Sequence, residues 1–301
     1  MIQYLRHGQI DKACWDDCVD NASNGLVYAL SWYLDVVHPG WEALVEVAND
    51  KYQSIMPLTC NRKYFVHYLF QPFFAQQLGV FSRVPLSVEK VMEFIRAIPK
   101  KFRLVEIRLN EGNPFLQYCR GVEYHRNCVL ELFSEYDMLA SQYHENTKRN
   151  LKKSLNHGLR LVKEVPIRTV IDLFRSDRGV LVQHWKDKEY SRLERLANTA
   201  ITSQNALVYG IQNTDNKEIL CGALFMVYRD RITFLFSGNS EAGKACQSMT
   251  FLIDQVIREF AGQKLTLDFE GSDDSNLARY YLGFGASEKI YPSFTKKILE
   301  F

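Results

Sequence analysis

The sequence has no long apolar run and no excess of charge of one sign. Its most apolar segments, residues 26–37, 220–228 and 232–236, are shorter or more interrupted than the roughly 18 residues of a membrane-spanning helix. The formal net charge is only +2, so we expect no DNA partner. Residues 1–17 lack the basic start and apolar middle of a secretory signal. We therefore expect a cytoplasmic protein without a membrane span.

Motifs for metal binding and for several enzyme classes are also missing. The seven cysteines form no Cys-x-x-Cys pair and lie beside no matching histidine cluster. Cys14 and Cys18 are one helical turn apart, but two ligands do not make a site, so we expect buried thiols and no metal. Gly-x-Ser-x-Gly, His-Glu-x-x-His, Walker and Gly-x-Gly-x-x-Gly motifs do not occur. Hydrolase, metalloprotease, NTPase and dinucleotide-binding functions lose their main support.

What the sequence does have is one order of elements that occurs twice in 301 residues. The order is two strands joined by a polar turn, a third strand, a helix and a last strand. The first copy uses residues 43–48, 52–59, 64–70, 88–95 and 104–109, and the second uses 206–211, 219–228, 232–236, 247–260 and 265–269. The short match Ala-Leu-Val begins at Ala43 and again at Ala206. A tandem repeat of one α/β unit is favoured over two unrelated α/β domains.

The predicted domains are residues 1–135 and residues 136–301. Residues 121–133 predict a hairpin at the end of the first, and residues 136–156 predict one long helix that stops at Gly158. Residues 148–163 contain six lysines and arginines and no acid. This stretch fits a solvated helix face, and it would also suit the phosphates of an RNA.

Three segments of the second half resemble a known superfamily: Lys-Arg-Asn-Leu-Lys-Lys-Ser-Leu-Asn-His-Gly-Leu (148–159), Leu-Asp-Phe-Glu-Gly-Ser (267–272) and Leu-Ala-Arg-Tyr-Tyr-Leu-Gly-Phe-Gly-Ala (277–286). With the order of elements, they resemble the GNAT acyltransferases, and two copies in one chain resemble the Fem-type aminoacyltransferases. The resemblance implies an α/β (α+β) mixed sheet in two tandem GNAT-like domains. It also implies transfer of an acyl or aminoacyl group from acyl-coenzyme A or aminoacyl-tRNA to an amine.

The resemblance further implies that the donor lies between two splayed parallel strands, with its pyrophosphate at the start of the next helix. The matching strand is 232–236, and the loop after it contains Gly238, Gly243 and Lys244. Only Gly243-Lys-Ala fits the phosphate-binding pattern, so an ordinary glycine-rich loop is the alternative. The predicted donor-binding residues are Phe236, Ser237, Gly238, Asn239, Gly243, Lys244 and Ala245. In the first half, residues 71–77 carry proline and bulky aromatics, so we assign that domain to acceptor recognition or scaffolding.

Two carboxylates and a tyrosine are the candidate catalytic residues. Period-two alternation places Asp268 and Glu270 on one strand face, where the first half has Ile107 and Leu109. An amine acceptor arrives protonated and needs a base, whereas the alternative for Glu270 is a turn cap with Ser272.

Tyr281 resembles the GNAT tyrosine that protonates the departing thiolate, although Tyr280 is adjacent and a core role is the alternative for both. We expect acyl-coenzyme A in preference to tRNA as donor, and a small-molecule amine or a peptidoglycan-precursor-like acceptor. A catalytically silent tandem GNAT protein that binds a ligand or a protein is the alternative function.

Overall fold

The computed structural model describes residues 1–115, 121–182 and 185–297. The chain divides into two compact units: Met1–Arg126 with the described residues from Ile290 onward, and Asn127–Lys289. The helices are α1 (Lys12–Asn21), α2 (Ser31–Val37), α3 (Val88–Ala97), α4 (Tyr136–Ser141), α5 (Glu145–Ser154), α6 (Ile167–Ser176), α7 (Arg178–Leu181), α8 (Asp187–Thr202), α9 (Glu241–Ala245), α10 (Ser248–Phe260) and α11 (Ser275–Leu282). The strands are β1 (Ile2–Leu5), β2 (Glu42–Ala48), β3 (Lys51–Leu58), β4 (Cys60–Lys63), β5 (Val66–Leu69), β6 (Phe81–Ser82), β7 (Phe102–Arg108), β8 (Val122–Glu131), β9 (Leu159–Lys163), β10 (Ala206–Asn213), β11 (Ile219–Tyr228), β12 (Arg231–Asn239), β13 (Thr266–Asp268) and β14 (Ser287–Lys297).

In the first unit the strands follow the orders β1-β2-β3-β6 and β4-β5-β7-β14. Strand β5 pairs with β7 in parallel, and β14 pairs with the other edge of β7 in the antiparallel direction. Helix α3 begins at the cap residue Ser87, whose hydroxyl accepts a hydrogen bond from the backbone N–H of Lys90 at 3.2 Å. Its apolar side, with Phe94, is buried in the core of this unit beside Phe102.

In the second unit the strand order is β8-β13-β12-β11-β10-β9, and β12 and β13 form its parallel pair. Helix α10 buries most of its side chains in the core of this unit, including Leu252 and Val256. The carboxylate of Asp254 on this helix is buried as well. Its Oδ1 accepts hydrogen bonds from the hydroxyls of Tyr136 at 2.7 Å and Tyr143 at 3.2 Å. These bonds fix the α4 region against α10.

The repeated strands and helices of the sequence prediction are found, and the fold class is the predicted mixed α/β. The start predicted for the third strand is wrong, because Tyr64 and Phe65 form the turn between β4 and β5. The hairpin predicted for residues 121–133 is wrong, because Val122–Glu131 forms one continuous strand. The single helix predicted for residues 136–156 is also wrong. It is interrupted between α4 and α5, where Tyr143 turns inward to Asp254. Gly158 ends this region with φ of 55°, as expected of a helix stop.

The division into units differs from the predicted boundary after residue 135. Strand β8 runs across the division between Arg126 and Asn127, so no linker marks it in the sequence. The segment from Ile290 belongs to the first unit because β14 pairs with β7 there, with Phe294 opposite Ile107. A backbone pairing between segments so distant in sequence leaves no local signal.

Candidate functional site

A cleft opens in the second unit where β12 and β13 diverge. The two strands pair only over three positions, from Arg231 opposite Thr266 to Thr233 opposite Asp268. Strand β13 then ends, whereas β12 continues to Asn239 while paired on its other edge with β11. Within the described residues, no strand pairs with the β13-facing edge of β12 beyond Thr233. A stretch of backbone donors and acceptors therefore faces the cleft.

The cleft has a volume of about 660 Å³ and three sides. Residues 234–239 of β12 form one side, and residues 269–271 with Tyr280 and Tyr281 of α11 form the opposite side. The third side comes from Phe174, Arg178 and Trp185. A volume of this size is within the range of pockets that hold a cofactor or a small-molecule substrate.

A β-bulge shapes the β12 side of the cleft. Phe225 of β11 lies opposite Phe234, but the preceding residue, Leu224, lies opposite Phe236, so Leu235 is the extra residue. A bulge ends strict alternation and redirects the side chains that follow it. Leu235 and Phe236 consequently both line the cleft, which alternation alone does not predict.

The predicted donor-binding residues separate into two groups. Phe236, Ser237, Gly238, Asn239 and Lys244 line the cleft, whereas Gly243 and Ala245 are not among its lining residues. Gly243 is buried, and a Cβ atom there would lie 2.6 Å from the carbonyl oxygen of Leu220. At Gly238, a Cβ atom would lie 2.6 Å from the backbone nitrogen of Phe174 in α6. Both glycines thus allow close packing of backbone segments, and the interpretation that they admit a ligand is wrong for Gly243.

The segment after β12 is a short helix and not an open glycine-rich loop. Ser240 caps α9, and its Oγ accepts a hydrogen bond from the N–H of Gly243 at 3.0 Å. Lys244 forms ion pairs with Asp177 and, at 2.8 Å, with Glu241. The lysine is therefore on the rim of the cleft with its charge already compensated.

The first turn of α10 also borders the cleft. Gln247 has a left-handed backbone with φ of 62° and forms no side-chain capping bond to this helix. Gln247, Met249 and Thr250 all line the cleft. The initial N–H groups of a long helix thus lie beside the cleft, where they favour negative charge.

Asp268 is 1% exposed and lies outside the set of residues that line the cleft. Its Oδ1 accepts hydrogen bonds from the side-chain amide of Asn127 at 2.8 Å and from the N–H of Glu270 at 3.0 Å. Its Oδ2 forms an ion pair with Arg231 at 2.7 Å. The carboxylate is therefore fully engaged in joining β8, β12 and the turn after β13. It holds the backbone of Glu270 at the edge of the cleft.

Glu270 is where the chain leaves β13, and it lines the cleft. Its φ of 54° is in the left-handed region, so the expectation that it shares a strand face with Asp268 is wrong. Its carbonyl oxygen accepts a hydrogen bond from Ser272 Oγ at 2.8 Å, and Ser272 Oγ in turn accepts from the N–H of Cys128 at 3.0 Å. This bond to Ser272 uses the backbone of Glu270, so the carboxylate does not act as the cap in it. Glu270 is therefore a non-glycine residue held in an uncommon backbone conformation at the edge of the cleft.

The two adjacent tyrosines of α11 have different surroundings. Tyr280 shares a hydrogen bond with Thr250 Oγ1 at 3.2 Å. Tyr281 stacks on Phe269 with ring centroids 4.6 Å apart, and its hydroxyl has no hydrogen-bond partner within the described residues. Burial, and to a lesser extent the nearby Tyr280 and Glu270, raise the pKa of Tyr281. Its hydroxyl stays protonated at neutral pH.

Sequence reasoning missed the third side of the cleft. The ring of Phe174 lies 4.8 Å from that of Phe236, and Trp185 is nearly parallel to Phe236 at 6.1 Å. Arg178 is exposed and has no ion pair within the part of the chain that the structure describes. These residues are far from β12 in sequence and carry no motif, so no local pattern signals their place. Among the described residues there is no group of His, Cys, Asp and Glu side chains that could hold a metal ion.

In the first unit the gap beyond the parallel pair of β5 and β7 is filled by its own chain. After β5, the backbone of Leu78 forms a parallel bridge with Leu109 and donates a hydrogen bond to the carbonyl of Arg108 at 2.9 Å. Gln71 Oε1 accepts from the N–H of Arg108 at 3.1 Å, and Gln77 Oε1 accepts from that of Glu111 at 2.9 Å. Residues 71–78, which follow β5, thus bond to the end of β7 and fill the gap that in the second unit stays open between β12 and β13.

No helix in the described ranges has the length and apolar character needed to cross a bilayer.

No protein-family model matches the sequence, and no curated protein matches it. Solved structures do match. FemX is 11% identical with a TM-score of 0.66, and the match covers 96% of each chain. A tandem GNAT protein from the clavulanic acid biosynthesis pathway is 8% identical, with a TM-score of 0.53 over 100% of both chains. L-PGS from Bacillus licheniformis is 8% identical with a TM-score of 0.53, over 95% of this chain and 91% of that one. The chain therefore has the tandem GNAT-like, Fem-like fold that its sequence predicts.

Proposed function

We propose that the protein is a cytoplasmic N-acyltransferase that transfers an acyl group from acyl-coenzyme A to an amine. The observation that supports this most is the divergence of β12 and β13, which opens a cleft bordered by Glu270 and Tyr281. An extended donor with amide groups would pair with the free edge of β12 as an added strand does. Its pyrophosphate would lie at the first turn of α10, near the uncompensated Arg178.

The proposed reaction has Glu270 as base and Tyr281 as acid. The carboxylate takes a proton from the incoming ammonium, and the neutral nitrogen attacks the carbonyl carbon of the thioester. As the C–N bond forms and the C–S bond breaks, the Tyr281 hydroxyl donates its proton to the departing thiolate. The nitrogen loses its second proton as the intermediate collapses, and this proton restores the tyrosine. Burial keeps the Tyr281 hydroxyl protonated until that moment, because it raises the pKa of the phenol.

The acceptor we propose is a small-molecule amine or a peptidoglycan-precursor-like amine, and for the first unit we propose acceptor recognition or scaffolding. An aminoacyl-tRNA donor is the less favoured alternative. Within the basic stretch, Lys148 pairs with Glu145, Arg160 bonds to Gln212 and Lys163 pairs with Glu259. With Arg149, which bonds to Asn146, four of its six cations are therefore already engaged by the protein, which leaves fewer for a polynucleotide.

A catalytically silent binding protein is the second candidate. Lys244, whose charge is compensated by two ion pairs, and the buried Gly243 favour it, because neither residue is free to bind a phosphate as the sequence predicts. Both candidates bind a donor-like ligand, but only the transferase releases a thiol.

Calorimetry with acetyl-coenzyme A, longer acyl-coenzyme A species and charged tRNA tests the donor, and a free-thiol assay with a panel of amines tests the reaction. We expect micromolar binding of a coenzyme A species and thiol release that depends on the amine. Arg178→Ala should weaken donor binding by about tenfold, the usual loss for one hydrogen bond to a charged group. Arg175→Ala, outside the cleft on α6, is the matched control and should bind as the wild type does. Binding without thiol release for any amine would favour the catalytically silent protein. Binding of charged tRNA alone would show that aminoacyl-tRNA, and not acyl-coenzyme A, is the donor.

A further inference from the structure

The hairpin of β4 and β5 in the first unit ends in two exposed aromatic residues. The strands pair through Lys63 opposite Val66, so Tyr64 and Phe65 are the whole two-residue loop. Their exposed fractions are 84% and 87%, and Val66 beside them is 44% exposed. Single exposed apolar residues are ordinary, but two adjacent exposed rings at the end of a hairpin are a local apolar patch.

Neither aromatic residue is explained by the turn. Tyr64 and Phe65 have φ of 46° and 68°, both in the left-handed region that a two-residue hairpin of this type requires. Asparagine, aspartate and glycine adopt this conformation most readily, and bulky side chains adopt it at a cost in free energy. The chain itself supplies a comparison in the β2–β3 hairpin of the same unit, where Asn49 and Asp50 occupy the equivalent positions with φ of 51° and 57°.

The tip is also positively charged. The guanidinium carbon of Arg62 lies 5.1 Å from the ring centroid of Phe65, and Lys63 Nζ lies 5.5 Å from that of Tyr64. Residues 51–88 contain no aspartate or glutamate, although the chain has 35 acidic residues in all. Within the described residues, Arg62 and Lys63 form no ion pair. Each of the two rings is thus in contact with a cation, and no carboxylate lies close to these cations in the sequence.

We propose that this tip, residues 61–66, binds the surface of anionic phospholipid membranes. Aromatic rings prefer the level of the lipid headgroups, and the arginine and lysine beside them can reach the phosphates while their stems stay with the rings. The tip is a two-residue turn with both rings exposed, so it suits a deformable anionic surface. With two rings and two cations the association is weak and reversible. This proposal does not depend on the proposed transferase activity.

Co-sedimentation of the purified full chain with vesicles rich in phosphatidylglycerol tests the proposal, with pure phosphatidylcholine vesicles beside them. We expect binding to the anionic vesicles that falls with added salt. Replacing both Arg62 and Lys63 by Gln should weaken it by about fivefold for each cation removed. The double variant Tyr64→Asn, Phe65→Gly should lose the binding and keep or raise the melting temperature, since these residues suit the turn better.

The matched control is the double variant Asn49→Gly, Asp50→Gly in the β2–β3 turn, which should bind vesicles as the wild type does. The proposal would be overturned if the wild type did not sediment with anionic vesicles, or if the Tyr64/Phe65 variant bound them equally. It would also be overturned if the tip variants lost affinity for an RNA or a protein while vesicle binding was absent.

Discussion

At the scale of single residues, the backbone decides what Glu270 can do. Sequence alternation identifies the acidic residues after Leu265, but it cannot show that the strand ends at Asp268. The carboxylate of Asp268 binds Arg231, Asn127 and the N–H of Glu270. The left-handed backbone of Glu270 then brings this residue to the cleft. The residue types were predictable, whereas their separation into a buried support and a cleft residue depends on long-range bonds.

We predict that Glu270→Gln lowers kcat by about a hundredfold to ten-thousandfold, the usual contribution of a general base. The amide keeps the shape of the side chain, so donor affinity and melting temperature should stay near the wild-type values. Glu218→Gln, on an exposed turn of the same unit, is the control and should be fully active. A lower melting temperature with an unchanged rate would show that Glu270 serves the turn alone.

We predict that Tyr281→Phe lowers the rate of thiol release by at least about a hundredfold. The phenyl ring preserves the stacking on Phe269, so only the proton is removed. Tyr280→Phe is the matched control because its hydroxyl bonds to Thr250, and it should change the rate much less. Equal losses in the two variants, in steady-state assays at one pH, would remove the assignment of Tyr281 as the acid.

At the scale of elements, periodicity was sufficient for strands and helices but not for the segment between β12 and α10. Its glycines suggested an open loop, because glycine is common where a backbone approaches a ligand. The structure instead has the short helix α9, with Gly243 in contact with the carbonyl of Leu220. A glycine needed for packing and a glycine needed for binding look alike in a sequence. Contacts from distant residues distinguish them.

We predict that Gly243→Ala destabilises the protein by about 1–3 kcal/mol, as overpacking usually does. The added methyl group would lie 2.6 Å from the backbone oxygen of Leu220 and 2.7 Å from Ser248 Oγ, so α9 or β11 must move. Chemical denaturation measures the loss. Gly8→Ala is the control, because a Cβ atom there meets open space and the free energy of unfolding should change little. Gly271→Ala does not serve as a control, because its φ of 53° would strain an alanine. A Gly243→Ala variant of normal stability would mean that α9 adjusts freely.

At the scale of the whole molecule, buried phenols make stability depend on alkaline pH. Burial raises the pKa of Tyr136 to about 12, and it raises the pKa of Tyr143, Tyr209, Tyr280 and Tyr281 further. An unfolded tyrosine ionises near pH 10. Above that pH the unfolded chain releases protons that the folded chain retains. The contribution of each phenol to the free energy of unfolding is therefore complete below pH 10 and declines as the pH rises.

We therefore predict that the midpoint of guanidinium unfolding begins to fall above about pH 8.5, because unfolded thiols ionise there whereas burial raises the pKa of Cys18 to about 11 and that of Cys221 to about 12, and that it falls more steeply above about pH 10. The free energy of unfolding should then fall by about 1.4 kcal/mol per pH unit for each tyrosine that stays protonated in the folded state. Absorbance at the tyrosinate band, read in the folded protein, gives the independent check. Early ionisation of all tyrosines without unfolding would contradict the prediction.

Strand β14 has a consequence for the way this chain is made. The first unit obtains the partner of one edge of β7 from residues that follow the whole of the second unit in sequence. A ribosome therefore completes the second unit before it supplies that partner, and the edge of β7 stays unpaired throughout this time. Exposed strand edges invite pairing with other chains. The nascent first unit must be protected or remain incomplete while the second unit is synthesised, and its closure follows the synthesis of β14.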